Sequence, residues 1–281
     1  MLRRLLFFVG LLLPAAPGVA QLLQPHRRVV APPANPRRFR VYLLLGQSNM
    51  AGRGTVEAPD TVPNRRVLRL NAAGQWEVAQ DPLHFDKPSA GVGPGLTFGR
   101  DLAAQDTSLV IGLVPCAVGG SGLAAWQPGA YFADTQTHPY DETLTRARVA
   151  LRSGGTLAGA IWHQGETDSS PALSATYGPR LQAFIARLRA DLGAPALPFV
   201  AGELPLFPQG VNSAAGVAAV NAALAALVGR VPAYAVVPAT GTTDRGDHLH
   251  FDAASARLLG RRYASAMQQL QATQARPSTT D

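Results

Sequence analysis

Arg40-Val41-Tyr42-Leu43-Leu44-Leu45-Gly46-Gln47-Ser48-Asn49-Met50 is the stretch on which the reading of this chain turns. The run 41–45 is too short for a helix of its own and fits a strand buried on both faces. It stops at Gly46, which can take a tight turn, and Ser48 follows at what would be the strand's carboxyl end. A serine there is weak evidence alone, because turn serines that merely bond nearby backbone are common.

Further short apolar runs of the same kind occur at 109–115, 158–163, 197–203 and 234–238. Between and after them lie stretches with helical spacing at roughly 96–105, 141–153, 173–192, 214–228 and 253–271. Strand and helix alternate, which predicts right-handed βαβ units and a parallel sheet covered on both sides, a three-layer α/β/α sandwich. Ligand sites in such sheets lie beyond the carboxyl ends of the strands.

Three more polar clusters fall at expected strand ends. Asp247-His248-Leu249-His250-Phe251-Asp252 lies between the last strand and the last helix. An Asp three residues before a His lets the carboxylate accept from one ring nitrogen while the other takes a serine proton, so Asp247 and His250 suit orienter and base. The same residues also read as a helix cap and two solvated histidines, and His248 with Asp244 is an alternative pair. Pro115-Cys116-Ala117-Val118-Gly119-Gly120-Ser121-Gly122 leaves amides exposed, and the N–H of Gly119 could face an oxyanion if the loop curls over Ser48. Ile161-Trp162-His163-Gln164-Gly165-Glu166-Thr167-Asp168 offers Gln164 as an uncharged side-chain donor that would complete a three-donor hole with the amides of Ser48 and Gly119. Each segment is ambiguous alone; together they supply nucleophile, base, orienter and oxyanion donors for acyl transfer.

These ordered blocks, with Gly93-Pro94-Gly95 between them, resemble the SGNH hydrolases, and within them carbohydrate esterase family 6 and the related sialate O-acetylesterases. The resemblance covers most of the chain. It implies a flavodoxin-like sheet with helices on both faces, Ser48 as nucleophile and amide donor, Gly119 as second donor, Gln164 as side-chain donor in place of the wider group's Asn, and Asp247 and His250 as orienter and base. The family's Asp-x-x-His pattern prefers His250 over His248. Gln47, Asn49, Gly120, Glu166 and Trp126 are candidates for support or substrate contact, with Tyr131 and Tyr140 as further aromatic faces for a sugar ring. The implied substrate is an O-acetylated sugar, in plant-type polysaccharide such as acetylxylan or, as the alternative, on sialic acid. No metal or organic cofactor is expected.

The rest of the chain frames this domain. Arg3 and Arg4, the apolar run 5–13 and small residues at Gly18 and Ala20 form a signal-peptide layout over 1–20, predicting export to periplasm or medium with no lasting membrane anchor. Residues 21–39, with four prolines among arginines, read as a linker, 40–272 as the esterase domain and 273–281 as a frayed tail. The formal charge is +7, but the first 40 residues hold seven arginines and no acid. Without those seven, the 25 basic residues fall to 18, equal to the 18 acidic ones, so the body offers no footprint for nucleic acid. Cys116, the single cysteine, reads as a buried small hydrophobe.

Two competitors remain. His163, Asp247, His248 and His250 could gather a divalent ion, a reading that leaves Ser48 unexplained. A carbohydrate-binding protein that kept the fold and lost the chemistry would not need every catalytic residue type to be present. Gly91-Val92-Gly93-Pro94-Gly95 follows no convincing strand and lacks dinucleotide-loop spacing.

Overall fold

The structure, a computed structural model, describes residues 27–207 and 212–275. The expected signal peptide and most of the short C-terminal tail lie outside these residues. Seven strands form one sheet in the order β3-β2-β4-β1-β5-β6-β7. They are β1 (Phe39–Gly46), β2 (Val67–Leu70), β3 (Trp76–Val78), β4 (Val110–Pro115), β5 (Thr156–His163), β6 (Phe199–Gly202) and β7 (Tyr234–Val237). Every neighbouring pair is parallel except β2 with β3.

The alternation expected of a doubly covered strand is visible in β1. Phe39, Val41, Leu43 and Leu45 face one apolar core with helices α2 (Pro139–Arg152), α3 (Tyr177–Asp191) and α4 (Ala214–Ala226). Tyr42 and Leu44 face the other, with α1 (Pro94–Gln105) and α5 (Ala253–Ala275). Each fully buried Leu of this kind contributes about 1.5–3 kcal/mol by leaving water. Helix α5 lies close on α1 at Gly260, where a Cβ would stand 2.5 Å from the Pro94 carbonyl oxygen. No helix among the described residues is long and apolar enough to cross a membrane.

The sheet departs from the sequence expectation in β2 and β3, which form an antiparallel hairpin through the turn Asn71–Gln75. Their apolar pattern is interrupted by Arg69 and Glu77, a buried ion pair whose arginine also donates to the carbonyl of Leu83 at 2.6 Å. The expected helix over 173–192 is divided: a single turn at Pro171–Ser174 precedes α3, because Thr176 leaves helical geometry (φ −109°, ψ 4°). The described part of the expected linker is docked on the sheet. Val30 donates to the Trp76 carbonyl at 2.9 Å and Val78 to that of Arg28 at 3.0 Å, covering the otherwise open edge of β3. Residues 273–275, expected in the tail, continue α5.

From β1 the chain departs to one side of the sheet through β2, β3 and β4, and β5 begins the other side. The carboxyl end of β1 therefore opens where the winding reverses, the usual crevice of such sheets.

Candidate active site

Strand β1 ends at Gly46 with φ +125°, and a Cβ there would stand 2.1 Å from the His163 carbonyl oxygen, so only glycine fits. The chain turns sharply and Ser48 opens a single helical turn, Ser48–Ala51. As the first residue of that turn, Ser48 has an N–H with no intrahelical acceptor.

The loop between β7 and α5 brings His250 to this serine. His250 Nε2 lies 3.0 Å from Ser48 Oγ, placed to accept the hydroxyl proton, while Nδ1 donates to Asp247 Oδ2 at 2.8 Å. Asp247 Oδ1 accepts the N–H groups of His250 (2.8 Å) and Leu249 (3.0 Å). Partial burial works to raise the Asp247 pKa, but these amide bonds and the His250 ring outweigh it and hold the carboxyl below its usual range. Arg245 stands 3.7 Å from the same carboxylate. His248, the alternative base, points elsewhere: its Nδ1 lies 3.7 Å from Asp244, and it takes a left-handed backbone (φ +57°).

Asn49 fastens the histidine loop to the serine turn. Its Nδ2 donates to the Leu249 carbonyl (3.2 Å) and to Glu166 Oε1 (2.6 Å), while its Oδ1 accepts from the Phe251 N–H (3.1 Å). His250 is thus gripped through both of its chain neighbours. Glu166 is buried, which raises its pKa against the lowering by Asn49, and its Oε2 has no partner among the described residues. Through Asn49, Glu166 supports the histidine loop at one remove.

The expected oxyanion donors are present beside Ser48 but engaged elsewhere. The Gly119 N–H donates to Asp86 Oδ2 at 2.8 Å, and Arg53 Nη2 lies 3.3 Å from the same oxygen. Gln164 is fully buried, and its Nε2 donates to Asp168 Oδ2 at 2.7 Å and to Gln47 Oε1 at 3.1 Å. Asp168 is fixed in turn by the Leu123 N–H at 2.8 Å and Arg180 at 3.1 Å. The three-donor hole expected from Ser48, Gly119 and Gln164 is accordingly not assembled, because two carboxylates absent from that expectation take two of the donors.

Trp126 is also corrected. It is fully buried, packs edge-on against Trp162 and Phe184, and donates to Ser121 Oγ at 3.0 Å, so it offers no face to a sugar. Tyr140 is buried too, whereas Tyr131 is exposed. The exposed Gly120 opens on Phe132, Lys87 and Asp134, all within 4.0 Å of a Cβ built there. Beside the Gly119 turn is a cavity of about 160 Å³ lined by His84, Asp86, Cys116, Val118 and Arg146 among others. Burial pushes the His84 pKa down to about 4 and the Cys116 thiol up to about 11, leaving both neutral.

Of the residues of the metal reading only Asp247 and His250 meet; His248 turns to Asp244, and buried His163 donates from Nδ1 to the Tyr263 hydroxyl at 3.0 Å, with its pKa pushed by burial to about 3. Among the described residues no three His, Cys, Asp or Glu side chains form a group able to hold an ion. Arg53, Asp86, Asp168 and Arg245 were not singled out from the sequence. Asp168 lies four residues after Gln164, and Arg53 follows the serine turn after Gly52; Asp86 carries no local signal.

A family model described as "Carbohydrate esterase, sialic acid-specific acetylesterase" matches residues 38–269. A probable carbohydrate esterase of Arabidopsis thaliana is 36% identical over 181 residues, covering 57% of this chain and 67% of the relative. The X-ray structure of that plant protein superposes with a TM-score of 0.72 at 30% identity, covering 83% of this chain and 99% of the other. A carbohydrate acetylesterase from Xanthomonas citri shares the fold, with a TM-score of 0.63 at 21% identity over 83% of this chain and 56% of its own.

Proposed function

Because the chain belongs to the carbohydrate esterase, sialic acid-specific acetylesterase family and is a carboxylic ester hydrolase, we propose that it removes O-acetyl groups from carbohydrates with Ser48 as nucleophile, His250 as base and Asp247 as orienter. The observation that carries this reading is the unbroken chain Asp247–His250–Ser48, with links of 2.8 and 3.0 Å, at the reversal point of the sheet.

His250 Nε2 takes the Ser48 proton as Oγ adds to the acetyl carbonyl. Asp247 stays ionised and steadies the imidazolium through its Nδ1–H. The tetrahedral intermediate collapses when His250 returns that proton to the departing sugar oxygen, leaving acetyl-Ser48. Water then adds to the acetyl group by the same route in reverse and releases acetate. The Ser48 N–H, at the open end of its helical turn, supplies one donor to the oxyanion.

Acetylated plant-type polysaccharide such as xylan is the substrate we propose; acetylated sialic acid is the second reading, favoured by the description of the matching family. Arg3, Arg4 and the apolar run 5–13 support export through a signal peptide, which would bring the enzyme to such substrates.

The test combines Ser48→Ala with a serine-directed phosphonate. Loss of acetate release in the variant and a single phosphonate adduct on Ser48 of the wild type are expected; turnover retained by the variant refutes the nucleophile. Acetate released from acetylxylan, acetylated pectin, acetylated sialic acid and aryl acetates, measured side by side, decides the sugar.

A further inference from the structure

Just past the serine turn, at Arg53, is a buried ion pair that the proposed chemistry does not use. Arg53 and Asp86 have side chains only 6% and 3% exposed, and Asp86 Oδ2 accepts from both Arg53 Nη2 (3.3 Å) and the Gly119 N–H (2.8 Å). Arg53 also donates from Nη1 to the Gly52 carbonyl at 2.7 Å. Gly119 precedes Gly120 in a turn closed by the Ser121 N–H on the Val118 carbonyl at 3.2 Å, with Gly120 at φ +87° as a turn of this type requires in its third position. The peptide joining the two glycines is therefore the central one of the turn. Its N–H, that of Gly120, has no hydrogen-bond partner among the described residues.

The turn is held at the level of the nucleophile. Cys116 donates to the Leu44 carbonyl at 3.0 Å and Val118 to that of Gly46 at 2.9 Å, two rungs that run alongside the chain leading to Ser48. From the far side, Thr167 Oγ1 donates to the Gly120 carbonyl at 3.1 Å. The Gly119–Gly120 peptide is consequently gripped before and after, with one exposed donor left over.

We propose that the Arg53–Asp86 pair is a positioning unit: by holding the Gly119 N–H it presents the Gly120 N–H, instead of Gly119's, to the oxyanion formed on Ser48. The proposal rests on Ser48 being the nucleophile. Asp86 alone would set a negative charge near a developing one; Arg53 beside it offsets that charge, so the pair can orient the turn without opposing the reaction. Arg53 also reaches the other half of the site. Its carbonyl accepts from Arg245 Nη1 at 2.8 Å, and Arg245 Nε stands 3.7 Å from Asp247. One residue thereby ties the glycine turn to the loop that carries His250.

Three variants test this on an aryl acetate. Arg53→Met/Asp86→Ala removes both charges, so neither is stranded in the interior. It is expected to lower kcat about 30-fold with KM unchanged, and to weaken inhibition by a trifluoromethyl ketone, which forms a tetrahedral adduct, by a similar factor. Asp86→Asn keeps a carbonyl where Oδ2 accepts both bonds and should lose only about threefold in kcat. Gly119→Ala drives a methyl to 2.3 Å from Arg53 Nη2 and prises the pair from the turn with both charges intact; about a tenfold loss in kcat is expected. A folded double variant with kcat within twofold of wild type, or a loss seen in KM alone, overturns the proposal. If the double variant does not fold, Gly119→Ala with unchanged kcat and inhibition overturns it equally. Ser48→Ala assayed in parallel separates the cases: turnover there removes the nucleophile, whatever the pair does.

Discussion

The two flanks of Ser48 are built on different plans. On the histidine flank, nucleophile, base, orienter and clamp come from two short segments, 48–49 and 247–251, and apart from the Asn49–Glu166 bond the hydrogen bonds point at a reacting group or its neighbour. On the glycine flank, the donors come from three segments and most are spent on carboxylates, Asp86 from 33 residues away on Gly119 and Asp168 from within its own loop on Gln164. Proton transfer is thus organised locally, whereas charge stabilisation depends on the surrounding fold. Damage to the first should appear chiefly in rate, and damage to the second should reach stability as well.

The sharpest break on the histidine flank is Asp247→Asn. It keeps the shape and removes the carboxylate that fixes the His250 tautomer, so kcat for acetate release should fall by about 10³–10⁴-fold with Tm within a few degrees of wild type. A loss under tenfold would mean that Arg245 and the loop backbone orient His250 without it. The corresponding break on the glycine flank is Trp126→Ala beneath Ser121, expected to cost about 3–5 kcal/mol in urea unfolding while leaving KM for an aryl acetate unmoved, since the ring does not reach solvent. A raised KM with intact stability would return Trp126 to the substrate.

Asn49→Ala tests whether the clamp belongs wholly to the first plan. Loss of its grip on Leu249 and Phe251 should lower kcat about 10–50-fold, a misplacement effect, with about 1–2 kcal/mol lost in stability. If stability fell and kcat did not, the clamp would be structural only.

The last effect is a pH dependence in the layer beneath both flanks. Buried His163 and His84 have pKa values lowered to about 3 and about 4, so the unfolded chain takes up their protons first as the solution is acidified. Their contribution is present above the ordinary histidine pKa of about 6.5 and is lost as pH falls from there toward the folded values, with a slope of up to about 1.4 kcal/mol per pH unit for each. Urea unfolding measured from pH 7 to 4.5 should show this decline, and His163→Gln should flatten it. An unchanged slope in that variant would place the lost stability elsewhere.

How much of this could be read in advance follows the same division. Residues 41–45 and 158–163 announced β1 and β5 because strands buried on both faces must be apolar at every position. Strands β2 and β3 did not, because Arg69 and Glu77 satisfy each other inside the sheet and break the pattern. Asp247 and His250 were legible because their relation is one of spacing along three residues. Asp86 was not: its bond to Gly119 joins positions 33 apart through two irregular loops, for which no period or spacing exists. Gln164 was recognised as an uncharged amide donor, but its direction is set by Asp168, four residues on, and the sequence holds no sign of which way the amide turns. Trp126 failed for a similar reason, since an aromatic residue in a loop looks the same whether it faces a sugar or a core.

Lys87, at the rim by Gly120, is the only lysine side chain in the 281 residues, among 24 arginines. Apart from the terminal α-amino group, amine-directed chemistry therefore has one target on this protein, beside the Gly119–Gly120 turn. A fluorophore joined there would report on the surroundings of that turn without any engineered attachment point, and a support joined there would hold the protein by that side.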